Sequence, residues 1–132
     1  MKNLNETLTD LVRKILHYRD AGKPCIICGK GEMGKYDVVC HNIKQSKSTQ
    51  FKWHLHNVAL GHSKCNSIEE ADPLLSLSHN LNMIERFGAD EIISIYEQRN
   101  NTVKFAKSDK ESLIKELRVT LLCHEAIFKN LK

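Results

Sequence analysis

The sequence contains no run of about 18 apolar residues, the length that a membrane-spanning helix requires. Residues 1–6 lack the apolar segment of a secretory signal, and the chain has no internal repeat and no low-complexity segment. These absences argue against a membrane protein, a secreted protein and a repeat protein. We therefore expect a cytoplasmic chain, in which the five cysteines are thiols or metal ligands rather than disulfides.

Charge is unevenly distributed along the chain. The 132 residues, 41% hydrophobic and 27% charged with a net charge of +4, have the composition of one globular domain with at most an appendage. Residues 23–64 contain seven lysines and two acidic residues, whereas residues 65–97 contain one arginine and seven acidic residues. The basic segment suits a polyanion such as nucleic acid, although a solvated surface explains such a segment equally well.

Hydrophobic spacing divides the chain into three parts. Residues 1–22 are predicted to form an amphipathic helix, and residues 23–72 a small core with short β-rich runs. Residues 73–132 are predicted to form helices that pack on this core. The predicted elements are helices over 4–19 and 74–87, a helix opening at Ala89, a helix opening at Ser108 with a capping box to Glu111, and β-rich runs at 25–28 and 36–40.

Two pairs of soft metal ligands are the most informative feature of the chain. Two residues separate Cys25 from Cys28 and His62 from Cys65, and 33 residues lie between the pairs. A two-residue spacer lets both donors of a pair reach one ion, so the four side chains are predicted to bind a structural Zn²⁺. A redox role for the first pair is less suitable, because no βαβ pattern surrounds it and the second pair would remain unexplained.

Three residues inside or beside this zinc loop carry a resemblance. His41 follows a β-rich run, Asn57 follows a loop, and Asn66 directly follows the last zinc ligand. Their order and spacing resemble the HNH, or ββα-metal, nucleases. The resemblance implies that His41 activates water, that Asn57 pins the loop carrying it, and that Asn66 helps to hold one divalent cation, Mg²⁺ or Mn²⁺.

The flanking sequence is similar to the phage NinG/Rap recombination proteins. The segments that carry this similarity are residues 18–20, 24–29, 40–41, 53–58, 62–66 and 86–93. The family implies a structure-specific endonuclease for branched DNA, such as Holliday junctions and D-loops, encoded by a phage or prophage and acting in the cytoplasm of the bacterial host. The implied fold is α+β and mostly helical, with a zinc-stapled, treble-clef-like ββα-metal core wrapped by an N-terminal helix and two or three C-terminal helices.

The chain departs from the family at two positions. Cys40 precedes His41, where many HNH enzymes have a metal-binding aspartate and NinG-like proteins commonly a glycine, and His62 stands in place of a cysteine. Zinc tolerates a histidine in place of a cysteine. Because Cys40 stands where many HNH enzymes have the aspartate ligand, the second ligand of the catalytic ion is open among Asp37, Cys40 and His56. A thiolate at Cys40 would favour a softer ion than Mg²⁺, or would point into the core.

The implied reaction is phosphodiester hydrolysis. A neutral His41 would take a proton from the attacking water, while the cation neutralises the phosphate and stabilises the leaving 3′ oxygen. Three lysines of the loop are predicted to bind flanking phosphates, namely Lys44, Lys47 and Lys52. A homodimer would suit the symmetric cutting of two strands. The alternative function is a non-catalytic zinc module that binds nucleic acid or protein, with a decayed site at Cys40.

The other histidines give weaker signals. His17, His79 and His124 lie in predicted helices without a second ligand at useful spacing, so we expect ordinary surface or core residues. His54 and His56 alternate along the chain, which would place both on one side of an extended strand. A metal or phosphate role is the less favoured interpretation for these two.

Overall fold

The computed structural model describes residues 3–44, 50–101 and 105–130. These residues form a mostly helical α+β fold with five α-helices and a two-stranded sheet, as the sequence predicts. Within this described part, no helix is both long and apolar enough to cross a membrane. The elements in chain order are α1 (Leu4–Arg19), β1 (Val38–His41), β2 (Val58–Gly61), α2 (Ser63–Ile68), a 3-10 turn (Glu69–Ala71), α3 (Pro73–Phe87), α4 (Ala89–Gln98) and α5 (Lys107–Asn130).

Helix α1 supplies the centre of the hydrophobic core. Asn3 caps the helix, because its side chain accepts the Glu6 amide at 2.8 Å. Apolar side chains then recur every three or four residues, so one face of the helix is buried against α5 and the sheet. Leu8, Ile15 and Leu16 on this face are fully buried.

Strands β1 and β2 pair in antiparallel fashion, with His41 opposite Val58. The β-rich run predicted at 25–28 is wrong, because this segment forms a turn. The Gly29 amide closes the turn by donating to the Cys25 carbonyl at 2.8 Å. Gly29 has a φ of 77°, a conformation that residues with a side chain rarely adopt, so the turn requires glycine.

A buried ion pair fixes the end of α1 against the sheet. The Arg19 guanidinium donates to the Asp20 carboxylate at 2.7 Å, to the Leu55 carbonyl at 2.6 Å and to the Val58 carbonyl at 2.7 Å. Asp20 is fully buried and accepts the Leu60 amide at 3.0 Å. The loop before β2 and β2 itself are therefore both attached to α1.

The C-terminal helices follow the predicted boundaries, with one difference. Gly88, with a φ of 94°, separates α3 from α4 as predicted. Helix α5 begins at Lys107, so the cap predicted at Ser108 is wrong and this residue lies inside the helix. The carboxylate of Asp109 accepts the Ala106 amide at 2.9 Å instead, two residues before Glu111, where the predicted capping box places the carboxylate.

Candidate metal centre and catalytic loop

Cys25, Cys28, His62 and Cys65 surround one point, with donor atoms that all lie within 4.8 Å of one another. The His62 Nδ1 atom lies 3.5 Å from the Cys28 sulfur and 3.7 Å from the Cys65 sulfur. Tetrahedral zinc, with bonds of about 2.3 Å to sulfur and about 2.1 Å to nitrogen, separates two such donors by about 3.6 Å. The four residues therefore fit a structural zinc ion, as the sequence predicts.

Electrostatics also favour a cation at this point. The Cys25 sulfur accepts the backbone amides of Ile27 at 3.4 Å and His62 at 3.3 Å. Burial opposes the ionisation of Cys25, but the amide hydrogen bonds outweigh it and lower the pKa of this thiol. Burial, followed by the charge of Cys25, raises the pKa of Cys65. A divalent cation removes this conflict because it stabilises both thiolates.

The backbone around the metal cluster is tightly packed. A Cβ atom at Gly61 would lie 2.8 Å from the Cys40 sulfur and 3.2 Å from the Cys25 sulfur, so the end of β2 requires glycine. On the other side, Asn82 of α3 donates to the Ile26 carbonyl at 2.9 Å. The cysteine-bearing turn is thus held between β2 and α3.

Asn57 connects the two ends of the loop that follows β1. Its side chain is buried, accepts the Ile43 amide at 2.8 Å and donates to the carbonyls of Ile43 at 3.0 Å and Phe51 at 3.1 Å. The Asn57 carbonyl also accepts the Asn42 amide at 2.8 Å. This geometry suits the loop-pinning role that the resemblance implies.

His41 stands at the end of β1 and faces a pocket of about 210 Å³ towards α1. Its Nε2 atom lies 2.9 Å from the Lys52 carbonyl, which can only accept, so Nε2 carries the proton and Nδ1 is the basic nitrogen of the neutral ring. Burial lowers the pKa of His41, the carbonyl bond partly offsets this effect, and the charges of Lys44 and Lys52 add to it. The ring is therefore neutral near pH 7, as a general base must be.

No group of metal-binding side chains among the described residues combines the predicted second ligands Asp37, Cys40 and His56. Asn66 is exposed on α2, and among the described residues no hydrogen bond joins its side chain to His41. Asp37 accepts the Gly34 amide at 2.7 Å at the start of β1. Burial, followed by the charge of Cys25, raises the pKa of Cys40 to about 12, so this thiol stays protonated. The choice of second ligand stays a prediction.

His56, the third candidate ligand, lies with His54 beside helix α4. His54 lies between two turns and His56 lies in the second of them, not on the extended strand that the sequence suggested. Their ring centroids are nevertheless 5.7 Å apart, and His56 Nδ1 lies 3.4 Å from a carboxylate oxygen of Glu91. Sequence spacing gave no sign of Glu91 as their partner.

The loop lysines differ in their surroundings. Lys44 forms an ion pair with the buried carboxylate of Glu69. The Lys52 ammonium lies 5.1 Å from the centre of the Trp53 ring, and Trp53 itself is buried in the core. Lys47 lies outside the described residues. Of the two loop lysines that the structure describes, Lys52 is therefore held less firmly by its neighbours than Lys44.

A buried pair that the sequence did not reveal lies beside this loop. The second carboxylate oxygen of Glu69 is 2.5 Å from Nδ1 of His79, which is fully buried on α3. Burial opposes ionisation of Glu69, but the hydrogen bonds from His79 and Lys44 outweigh it and lower the pKa of the carboxylate. Glu69 and His79 belong to different helical elements, so no helical or strand periodicity relates them.

Comparison with known proteins identifies a family that the chain matches. The family model described as Bacteriophage Lambda NinG protein matches residues 1–125. No curated protein and no solved structure matches the chain. The matched range includes the four candidate zinc ligands, the candidate catalytic loop and most of α5.

Proposed function

Because the chain belongs to the bacteriophage lambda NinG family, we propose that it is a metal-dependent, HNH-type endonuclease that cleaves branched DNA such as Holliday junctions and D-loops. The observation that carries the proposal is the state of His41. Its ring is neutral, oriented by the Lys52 carbonyl and placed beside a loop that Asn57 pins. A nuclease that activates water with a histidine needs these properties.

In the proposed reaction, the unprotonated Nδ1 atom of His41 accepts a proton from water as the water attacks phosphorus. Donation from Nε2 to the Lys52 carbonyl keeps the ring in this tautomer and stabilises the imidazolium that forms. Asn66 would help to hold Mg²⁺ or Mn²⁺, and the bound ion supplies charge neutralisation at the phosphate and at the leaving oxygen.

The four-residue metal centre has a structural role in this proposal. Zinc at Cys25, Cys28, His62 and Cys65 joins the turn before β1 to the start of α2. The residues between the two pairs include His41 and Asn57, so the ion closes the chain around the proposed active site. A closed set of four protein donors leaves no position for substrate, as is usual in structural zinc sites.

The proposed DNA contacts come from the basic segment that carries the loop. Lys52 is free of an ion pair among the described residues, whereas Lys44 already neutralises Glu69. We therefore assign the larger phosphate contribution to Lys52. Loss of one phosphate contact weakens binding to all DNA sequences. It also lowers the number of salt ions released on binding by about one, so that affinity depends less steeply on salt concentration.

A second function is favoured by one specific observation. Cys40 is a buried thiol at the position where many HNH enzymes have a metal-binding aspartate, and Asn66 alone is a weak ligand for a hard cation. A non-catalytic zinc module that binds DNA or protein would retain the fold and the zinc without turnover. The two functions make the same prediction for DNA affinity and differ in cleavage.

The test uses a labelled four-way DNA junction and a linear duplex of the same sequence. Zinc-loaded protein is incubated with each substrate, with and without added Mg²⁺ or Mn²⁺. The nuclease proposal predicts cutting at the branch only when the added ion is present, with the duplex intact. Binding of the junction without cleavage by either ion would reject the nuclease and support the zinc module.

A further inference from the structure

A second group of metal-binding side chains lies away from the four candidate zinc ligands. One donor atom of each of His54, His56 and Glu91 lies within 4.8 Å of the other two. The Glu91 carboxylate oxygen is 3.4 Å from His56 Nδ1 and 4.0 Å from His54 Nε2. We propose that these three residues form a second site for a borderline divalent metal ion such as Zn²⁺, here called the two-histidine site.

The neighbouring side chains orient the ligands. The His56 ring stacks on Phe87, with centroids 4.9 Å apart and an interplanar angle of 27°. His54 Nδ1 accepts the His56 amide at 3.1 Å, which turns the Nε2 edge of His54 towards Glu91. Phe51 packs edge-on against His54 at 5.7 Å. Less side-chain freedom is therefore lost when an ion binds.

The donor set determines which ion fits. Two imidazoles and one carboxylate suit Zn²⁺ and similar transition metals better than Mg²⁺, which prefers oxygen ligands. Side-chain exposures of 38% for His54, 46% for His56 and 41% for Glu91 leave the group open to solvent. Three protein ligands leave at least one coordination position for water or a phosphate oxygen, unlike the closed set at Cys25 and its partners.

Binding at this site has a cost that the four-residue centre lacks. When His54 binds an ion through Nε2, its remaining proton must move to Nδ1, where it displaces the bond from the His56 amide. The two-histidine site is therefore weaker than the centre with three thiolates. During titration with a chelator, its ion leaves first.

An ion here would connect the candidate catalytic loop to the C-terminal helices. His54 lies two residues after Lys52, whose carbonyl orients His41, and Glu91 lies in the first turn of α4. The ion would thus join the loop before β2 to helix α4. In the described structure, only side-chain contacts connect these two elements at this place. The proposal does not depend on whether the protein is a nuclease.

The test measures zinc bound by the full-length protein in equilibrium dialysis. The wild type is expected to bind two ions per chain, with the second more weakly. His56→Phe keeps the aromatic stacking on Phe87 and Glu91→Gln keeps the shape of the side chain. Each variant is expected to lower the affinity for the second ion by about 100-fold or more, because it removes one of three ligands. The matched control, His124→Ala on α5, is expected to bind two.

A second readout separates the two metal centres. When Co²⁺ replaces Zn²⁺, only the centre with cysteine ligands gives a thiolate-to-metal charge-transfer band. This band should be identical in all variants, which shows that each variant is folded and that its first site is intact. One bound ion in the wild type, two ions of unchanged affinity in both ligand variants, or an equal loss in His124→Ala would each overturn the proposal.

Discussion

Among single residues, the buried amide of Asn57 contributes most to the geometry of the candidate catalytic loop. Three hydrogen bonds from this side chain hold the backbone at Ile43 and Phe51. The sequence could single out Asn57 only through the resemblance, because one asparagine has no distinctive local pattern. Its burial and its hydrogen-bond partners depend on the tertiary structure, which the spacing of residues along the chain does not reveal.

Replacing Asn57 by alanine should destabilise the fold by about 2–3 kcal/mol, because buried backbone groups at both ends of the loop lose their partners. Urea unfolding measures the change. The matched control is Asn66→Ala, an exposed position where the change should stay within about 0.5 kcal/mol. Equal stability of the two variants would contradict the pinning role of Asn57.

The lowered pKa of His41 predicts the pH dependence of cleavage. Burial depresses this pKa below its ordinary value of 6.5, and only the neutral ring can accept a proton. The rate should therefore be constant above pH 6.5 and should fall as the pH drops through the lowered pKa. Single-turnover rates across pH measure this, with His124→Ala as the control for other histidines. A half-maximal rate at a pH above 6.5 would oppose the assignment.

Among the secondary-structure elements, the helices were the predictable parts. Helical spacing and the glycine at position 88 predicted the bounds of α1 and α3 and the start of α4, because these signals are local. The four-residue strand β2 came only through the resemblance, since so short a run has no clear alternation. The partners of Glu69 and Glu91 were missed because α3 and the loop before β2 bring them together only in the folded chain.

The predicted zinc centre makes the small β1–β2–α2 unit depend on its cysteines. Cys65→Ser should lose the zinc ion of this centre and lower the melting temperature by about 10 °C or more, because each kcal/mol shifts a domain of this size by roughly 3–4 °C. Zinc content and thermal unfolding followed by circular dichroism measure both effects. Cys123→Ser, at an exposed position on α5, is the control and should match the wild type. Full zinc content in Cys65→Ser would rule out the assigned ligand set.

At the scale of the whole molecule, the exposed face of α3 bears on the proposed homodimer. Leu74, Leu77 and Leu81 lie on one side of the helix and are 77%, 53% and 55% exposed. Residues 73–84 contain no lysine, arginine, aspartate or glutamate. A two-fold contact brings the side chains near its axis close to their own copies, where a charge would be repelled, so this uncharged face suits such a contact.

Leu77→Glu should convert a dimer into a monomer, because it places like charges at the two-fold contact. Sedimentation velocity at several protein concentrations measures the state. Leu122→Glu, which changes an equally exposed leucine on α5, is the control and should leave the dimer intact. A monomeric wild type, or dissociation only in the α5 variant, would exclude α3 as the interface.

The proposed nuclease for branched DNA depends on His41 as its general base. The most direct measurement is the single-turnover rate of four-way junction cleavage by His41→Ala and by the wild type, in preparations with equal zinc content and equal helical circular dichroism. Loss of a positioned general base predicts a rate lower by about 100-fold or more. Cleavage by the variant at a rate close to that of the wild type would rule out His41 as the general base.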